Sequence, residues 1–271
     1  MEDHAGDGPV SPGGKARFPE NMTRTQTAEA QRSSFVNANP RPPSDDIRMR
    51  VYKFLKKEHG LSNLEHRRLK ISELSKVNDP FELLPLMGDD SLTFLSFQVT
   101  KQYVSKDHGM LCFCEHSHSP VVWAHYSEGH TGICLGFEIP DSYKTDTPNF
   151  YKSGLSLTRM RYKAKVRPLA KRPDYKKIHS ELLFTKYIHW QYEEEMRLYV
   201  PLPPIEDGLY FAKFSENLKL TDVILGFNNL TSEDQIRRLL LPQVDEDVTI
   251  WKVRPSKKEF KMVKDRARTP A

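Results

Sequence analysis

His189–Val200 reads HWQYEEEMRLYV: three consecutive glutamates, then an arginine set in an apolar alternation. Successive side chains of an extended chain point to opposite faces. Glu193, Glu195, Arg197 and Tyr199 therefore share one side, and Glu194, Met196, Leu198 and Val200 the other. The apolar alternates are what a core-facing side requires, and the stretch is expected to be a strand with one apolar and one charged face. The charged face carries two carboxylates two residues apart, with Arg197 close enough to keep at least one of them ionised. Trp190 and Tyr192 precede them and could line a pocket. Such a pair suits a site that orients a ribose hydroxyl and stabilises an oxocarbenium ion, as in nicotinamide release from NAD or glycoside cleavage. From these residues alone, a solvent-exposed edge strand bearing an ion pair is the simpler reading.

Working outward, RVYKFL (Arg50–Leu55), LKIS (Leu69–Ser72), MLCFCE (Met110–Glu115), TGICLGFEI (Thr131–Ile139), TDVILGF (Thr221–Phe227) and VTIWKV (Val248–Val253) read as further strands. The continuous apolar run of TDVILGF suits a central, buried position. Helices are fewer. Ser62-Asn63-Leu64-Glu65 has the capping-box form and predicts a helix start at Ser62. Ser119-Pro120 opens a second helix, VVWAHYS, with Gly129 at its exit, as a capping serine, an N-terminal proline and a trailing glycine suggest. Tyr175, Ile178 and Leu182 follow helical spacing between Asp174 and Lys186, and Thr231 is placed to cap SEDQIRRLLL. In the second helix Trp123 and His125 fall on nearly opposite sides, so one of them must face something other than packed protein. Strands outnumber helices without strict βα alternation. The expectation is one α+β domain over residues 47–264, with a mixed or mainly antiparallel sheet flanked by short helices.

Of the 271 residues, 38% are hydrophobic, low enough that part of the chain is expected to lie outside any packed core. Residues 1–46 hold hardly a large apolar side chain besides Phe18 and Phe35 and are rich in Gly, Pro, Ser, Thr and Asn. They are expected to be a disordered tail, and 265–271 a flexible C-terminus. No run of about 18 apolar residues and no secretory leader occurs, which points to a cytoplasmic protein without membrane contact. Net charge is +5, and the clearest basic stretch, Arg159–Lys177, is either a solvated face or a contact for phosphates. No phosphate-binding P-loop or GxGxxG word occurs, which argues against those nucleotide sites.

Cys112, Cys114, His116, His118, His125 and His130 supply zinc-type ligands, but cysteines with a single residue between them do not match zinc-site spacing, and no metal is expected. Nothing in the sequence orients a Cys–His nucleophile. In the turn Asn78-Asp79-Pro80-Phe81-Glu82 the polar side chains either bond local backbone or shape a pocket. Tyr52 is most simply a core aromatic of the first strand.

Taken in order, VYKF, LKIS, NDPFELL, CFCE, WAHYSEGHTGICLGFE, LFTK, WQYEEEMRL, DVILGF and TIWKV resemble the bacterial domain-of-unknown-function family 2971, over about Arg50 to Lys261. The order of an early Tyr-bearing strand, an aromatic helix and a late E-x-E strand is similar to that of ADP-ribosyltransferase-like folds. That similarity implies an NAD-consuming enzyme, transferring ADP-ribose or hydrolysing NAD, with a role in bacterial stress or phage defence. It would make Glu195 the catalytic carboxylate and Glu193 its partner, with Tyr52, Asn78, Trp123, His125, Tyr126 and Arg197 around NAD as substrate. Trp123 or Tyr126 would stack on the nicotinamide. The acceptor would be protein, nucleic acid or water, with the basic stretch Arg159–Lys177 available to nucleic acid. A non-catalytic interaction module, and a nuclease or other hydrolase using Glu193, Glu195 and His125, are the alternatives.

Overall fold

The computed structural model describes residues 46–77, 79–83, 86–87, 91–145, 154–168, 175–241 and 245–266. The tail expected over 1–46 therefore lies outside the described residues save for Asp46, as do Asn78 and residues 267–271.

The alternation in EMRLYV forms a strand, Glu195–Pro201, because both of its faces can be buried. Met196, Leu198 and Val200 enter the largest apolar cluster, while Tyr199 enters another on the opposite side. It is one of nine strands of a single sheet: β1 (Arg48–Leu55), β2 (Ser72–Glu73), β3 (His108–Cys114), β4 (Ile133–Pro140), β5 (Thr158–Arg159), β6 (Glu195–Pro201), β7 (Lys219–Leu225), β8 (Thr249–Pro255) and β9 (Met262–Lys264). Their order is β9-β8-β7-β4-β1-β3-β6-β5, with β2 beside β3. Every neighbouring pair is antiparallel except β7 and β8. The architecture is thus α+β with a mixed, mainly antiparallel sheet. The apolar run in β7 lies between β4 and β8, as a continuous hydrophobic strand should.

Five α-helices are described: α1 (Lys57–Glu65), α2 (Ser91–Asp107), α3 (Pro120–Tyr126), α4 (Tyr175–Phe184) and α5 (Glu233–Arg237). Two starts differ from expectation. The first helix begins at Lys57 rather than Ser62, because burial of Gly60 against Ile133 draws the preceding turn into the helix. The last is capped by Ser232, not Thr231: Ser232 Oγ accepts from the Gln235 N–H and the Gln235 side chain accepts from the Ser232 N–H. A full reciprocal pair satisfies two free N–H groups where Thr231 would satisfy one. In α3 the expected cap holds, with Ser119 Oγ accepting from Val122 N–H at 3.4 Å, Pro120 following, and Gly129 at φ +62° beyond the end.

The feature that positions the site is a seam. β1 pairs with β4 at eight steps and β3 with β6 at seven, yet β1 and β3 meet at only one, Tyr52 opposite Cys114. Past that step the ladder stops, and Lys53 Nζ donates to the Cys112 carbonyl at 2.8 Å. The lysine thus supplies a donor to a backbone group that has lost its strand partner. One side of the sheet is covered by a continuous apolar core that includes Val51, Leu111, Phe113, Leu135, Phe137, Met196, Leu198 and Val223. The other side carries two separate clusters, one around Trp123, Phe54 and Ile224, the other around Leu74, Met110 and Tyr199. The polar groups lie in the gap between them.

Candidate functional site: a buried carboxylate–cation cluster at the sheet seam

Glu195 opens β6, opposite Cys114 of β3. Glu193 reaches the same place by another route. It ends a 3-10 turn, Ile188–Glu193, and Glu194 then takes a left-handed conformation (φ 43°, ψ 51°) that leaves its own side chain in solvent. A non-glycine residue there is strained by roughly 1 kcal/mol. The local gain is convergence: Glu193 and Glu195 are 6% and 3% exposed and share one partner. Lys186, from the strand that follows α4, places Nζ 2.6 Å from Glu193 Oε2 and 3.1 Å from Glu195 Oε2. Two carboxylates held on one ammonium are close enough to act on a single sugar ring.

Arg197 continues the network inward. Its Nε donates to Glu195 Oε1 at 2.9 Å and its Nη2 to Glu82 Oε2 at 3.3 Å, with Nη1 also on Glu82 and on the Leu183 carbonyl. Tyr199 OH donates to the same carbonyl at 2.9 Å. Tyr162 OH accepts from the Glu195 N–H at 2.8 Å, and Tyr126 OH donates to Glu193 Oε1. The Lys186 ammonium also sits over the Trp190 ring, 4.7 Å from its centroid. The ion pair is thus buried, not the exposed edge pair that the residues alone suggested. The strand's second face is roofed by α4 and the Glu82 turn, which a local reading of β6 cannot anticipate.

Burial by itself would favour neutral Glu195, but the charges of Arg197 and Lys186, with hydrogen bonds from Cys112 and Arg197, outweigh it and hold the carboxyl down at about 2. Opposite charges at contact distance favour the ionised form more than burial disfavours it. Burial likewise opposes the Lys186 charge, and Glu195 and Glu193 reverse that, raising its pKa above the ordinary lysine value. For Cys112, burial and the neighbouring Glu195 both push the thiol up to about 12, the opposite of what a thiolate nucleophile needs. Counted as formal charges, Glu82, Glu193 and Glu195 pair with Lys186 and Arg197, and Lys53 stands on the same wall, so acids and cations at the seam balance.

A cavity of about 350 Å³ opens at the seam, with Tyr52, Cys112, Cys114, Tyr126, Lys186, Glu193, Glu195 and Arg197 on its wall. Of the residues singled out from sequence, it therefore gathers Tyr52, Tyr126, Glu193, Glu195 and Arg197. Trp123 is not among them: it is 0% exposed, donates Nε1–H to the Ser117 carbonyl at 2.7 Å and packs edge-on against Phe54. His125 is the residue on the other face of α3 and is exposed, its Nδ1 3.3 Å from Tyr192 OH, off the cavity wall. Glu82 and Lys186 are the members that sequence reasoning passed over. Lys186 had no signal of its own, while Glu82 stood in an acidic turn whose local role was the simpler one.

The cavity extends along β3. Ser72 pairs with Met110, four residues before Cys114 and so more than a full pleat from the carboxylate level. Around that end stand Ser72, Lys70, and Lys76 paired with Glu73 at 2.7 Å. Both ends of the wall thus carry both signs, Glu193 and Glu195 with Lys53, Lys186 and Arg197 at the seam and Glu73 with Lys70 and Lys76 farther along.

Fold and site define an α+β protein with a buried carboxylate–cation cluster on the wall of a sheet cleft. Residues 122–198, which hold the WAHY helix, the GICLGF strand and the glutamate word, match the family described as "Protein of unknown function (DUF2971)". No curated protein and no solved structure matches the chain.

Proposed function

We propose that the protein consumes NAD, breaking its nicotinamide–ribose bond and passing ADP-ribose to an acceptor or to water. One observation carries this reading: two buried carboxylates, Glu193 and Glu195, the latter held ionised, side by side on the wall of a cavity large enough for part of a dinucleotide. The nicotinamide end of NAD is cationic, and the sugar becomes more so as the bond loosens. Preorganised carboxylates stabilise that charge at its source. Glu195 would accept a ribose hydroxyl hydrogen bond, and Glu193, oriented by Tyr126 and Lys186, would face the anomeric carbon. Tyr52 and Tyr126 supply aromatic walls. The C–N bond breaks with its electron pair going to the nicotinamide nitrogen, which leaves neutral. The acceptor's oxygen or nitrogen bonds to the anomeric carbon and gives up its proton to a carboxylate or to water.

The saturation of both carboxylates by Lys186 and Arg197 favours a second reading, a non-catalytic module whose cluster only fixes the fold. Purified protein incubated with NAD separates them. Nicotinamide release that falls at least about a hundredfold in Glu195→Gln supports catalysis. Neither release nor an NAD-induced thermal shift leaves the non-catalytic reading, and activity indifferent to NAD but lost to a chelator would instead indicate a metal-assisted hydrolase.

A further inference from the structure

On the far side of Lys186 lies a second hollow of about 400 Å³, lined among the described residues by Phe81, Lys163, Lys165, Val166, Thr185 and Tyr187, with Lys186 common to both. Phe81 and Tyr187 are unusually exposed for large rings, at 49% and 45%, and Tyr187 stacks on His189 with centroids 4.8 Å apart at 13°. Lys163 and Lys165 are exposed beside them. Thr185 is 4% exposed, and its hydroxyl is buried without a hydrogen-bond partner among the described residues. A buried hydroxyl left without a partner costs on the order of 1–3 kcal/mol, a cost that a polar group of a bound ligand would relieve. The hollow thus offers aromatic surface, a polar anchor and cations, in that order from apolar to charged.

We infer that this hollow is a binding site for a nucleoside phosphate, the base lying against Tyr187 and Phe81, a polar edge of the ligand meeting the Thr185 hydroxyl, and the phosphate held by Lys163 and Lys165. Stacking on aromatic side chains tolerates any base, and lysines at the rim give affinity that falls with salt. Lys186 is not the anion's partner, because Glu193 and Glu195 already engage it. It is the wall between the two hollows, so an occupant here lies one side chain from the carboxylate pair. The same chemistry has two sources: the adenosine phosphate half of NAD, or a nucleotide of a nucleic-acid acceptor.

The test is titration of the intact protein with AMP, which needs no turnover and so stands or falls apart from the glycosidic reading. AMP should bind, and Lys163→Ala with Lys165→Ala, both exposed positions, should weaken it at least about tenfold and flatten its salt dependence. Thr185→Val, which keeps the volume and removes the hydroxyl, should weaken it severalfold in protein shown to be folded by its thermal transition. Absence of AMP binding, or binding that neither set of changes alters, overturns the inference. Competition assigns the source. Displacement of AMP by NAD indicates the adenosine half, and displacement by a short single-stranded oligonucleotide but not by NAD indicates the acceptor.

Discussion

Arg197 on β6 and Glu82, 115 residues earlier in the chain, form an ion pair in which the side chains are 1% and 3% exposed. Removing one partner of such a pair leaves a buried charge without compensation and typically costs about 3–5 kcal/mol. Arg197→Met should fall in that range, because it strands Glu82 and leaves Glu195 with Lys186 alone. Arg197→Lys should also be costly: the side chain serves two carboxylates and a carbonyl, and an ammonium lacks the planar fork to do so. Glu82→Gln together with Arg197→Met should recover part of the loss, and urea denaturation of the single and double variants reads the coupling directly.

The same network sets an acid limit. Glu195 titrates at about 2 in the folded protein against an ordinary value of 4.5, a folded-state pKa that is depressed. Its contribution to stability is therefore fully present above the unfolded value and is lost as pH falls through that value toward the folded one, a swing on the order of 3 kcal/mol. Unfolding free energies measured at pH 6, 4 and 3 should show the gap between wild type and Glu195→Gln narrowing as pH falls. A gap that stays constant would mean that the carboxylate is not held ionised.

The sheet was legible because its signal is local: alternation in the glutamate word, continuous apolar runs in β4 and β7, and a Ser-Pro start for α3 all act within a few residues. The site was legible in part. Alternation correctly put Glu195, Arg197 and Tyr199 on one side, but Glu193 joins them through a left-handed Glu194 and a 3-10 turn, not by strand period. Whether that face meets solvent depends on α4 and the Glu82 turn folding over it, a long-range contact that no local pattern encodes. Lys186 was invisible for the same reason: its role is given by two glutamates that only the tertiary fold brings to it.

The thiols at the seam should be slow to react. Burial and Glu195 push Cys112 up to about 12, and burial with Glu193 raises Cys114 as well. Alkylation by iodoacetamide at pH 8, followed by mass spectrometry, should modify neither appreciably until the protein is unfolded. Glu195→Gln should speed Cys112, because it removes a negative charge that opposes the thiolate. Rapid modification of Cys112 in folded wild type would reopen a nucleophilic role for it.

The two residues on opposite faces of α3 should separate stability from binding. Trp123 fills the cluster with Phe54, Val122 and Ile224, and truncating it to alanine should cost about 3–5 kcal/mol through cavity formation. Its milder replacement, Trp123→Phe, should lower the melting temperature yet leave NAD affinity unchanged, since the ring does not reach the cavity. His125 is exposed on the other side, and His125→Ala should change stability by no more than about 0.5 kcal/mol and nicotinamide release hardly at all. Tyr126→Phe is the informative contrast, because it removes only the hydroxyl that donates to Glu193. It should cost about 1 kcal/mol in stability and slow nicotinamide release severalfold, measured alongside His125→Ala under the same conditions. A Tyr126→Phe variant as active as wild type would remove Tyr126 from the site and leave Glu193 positioned by Lys186 alone.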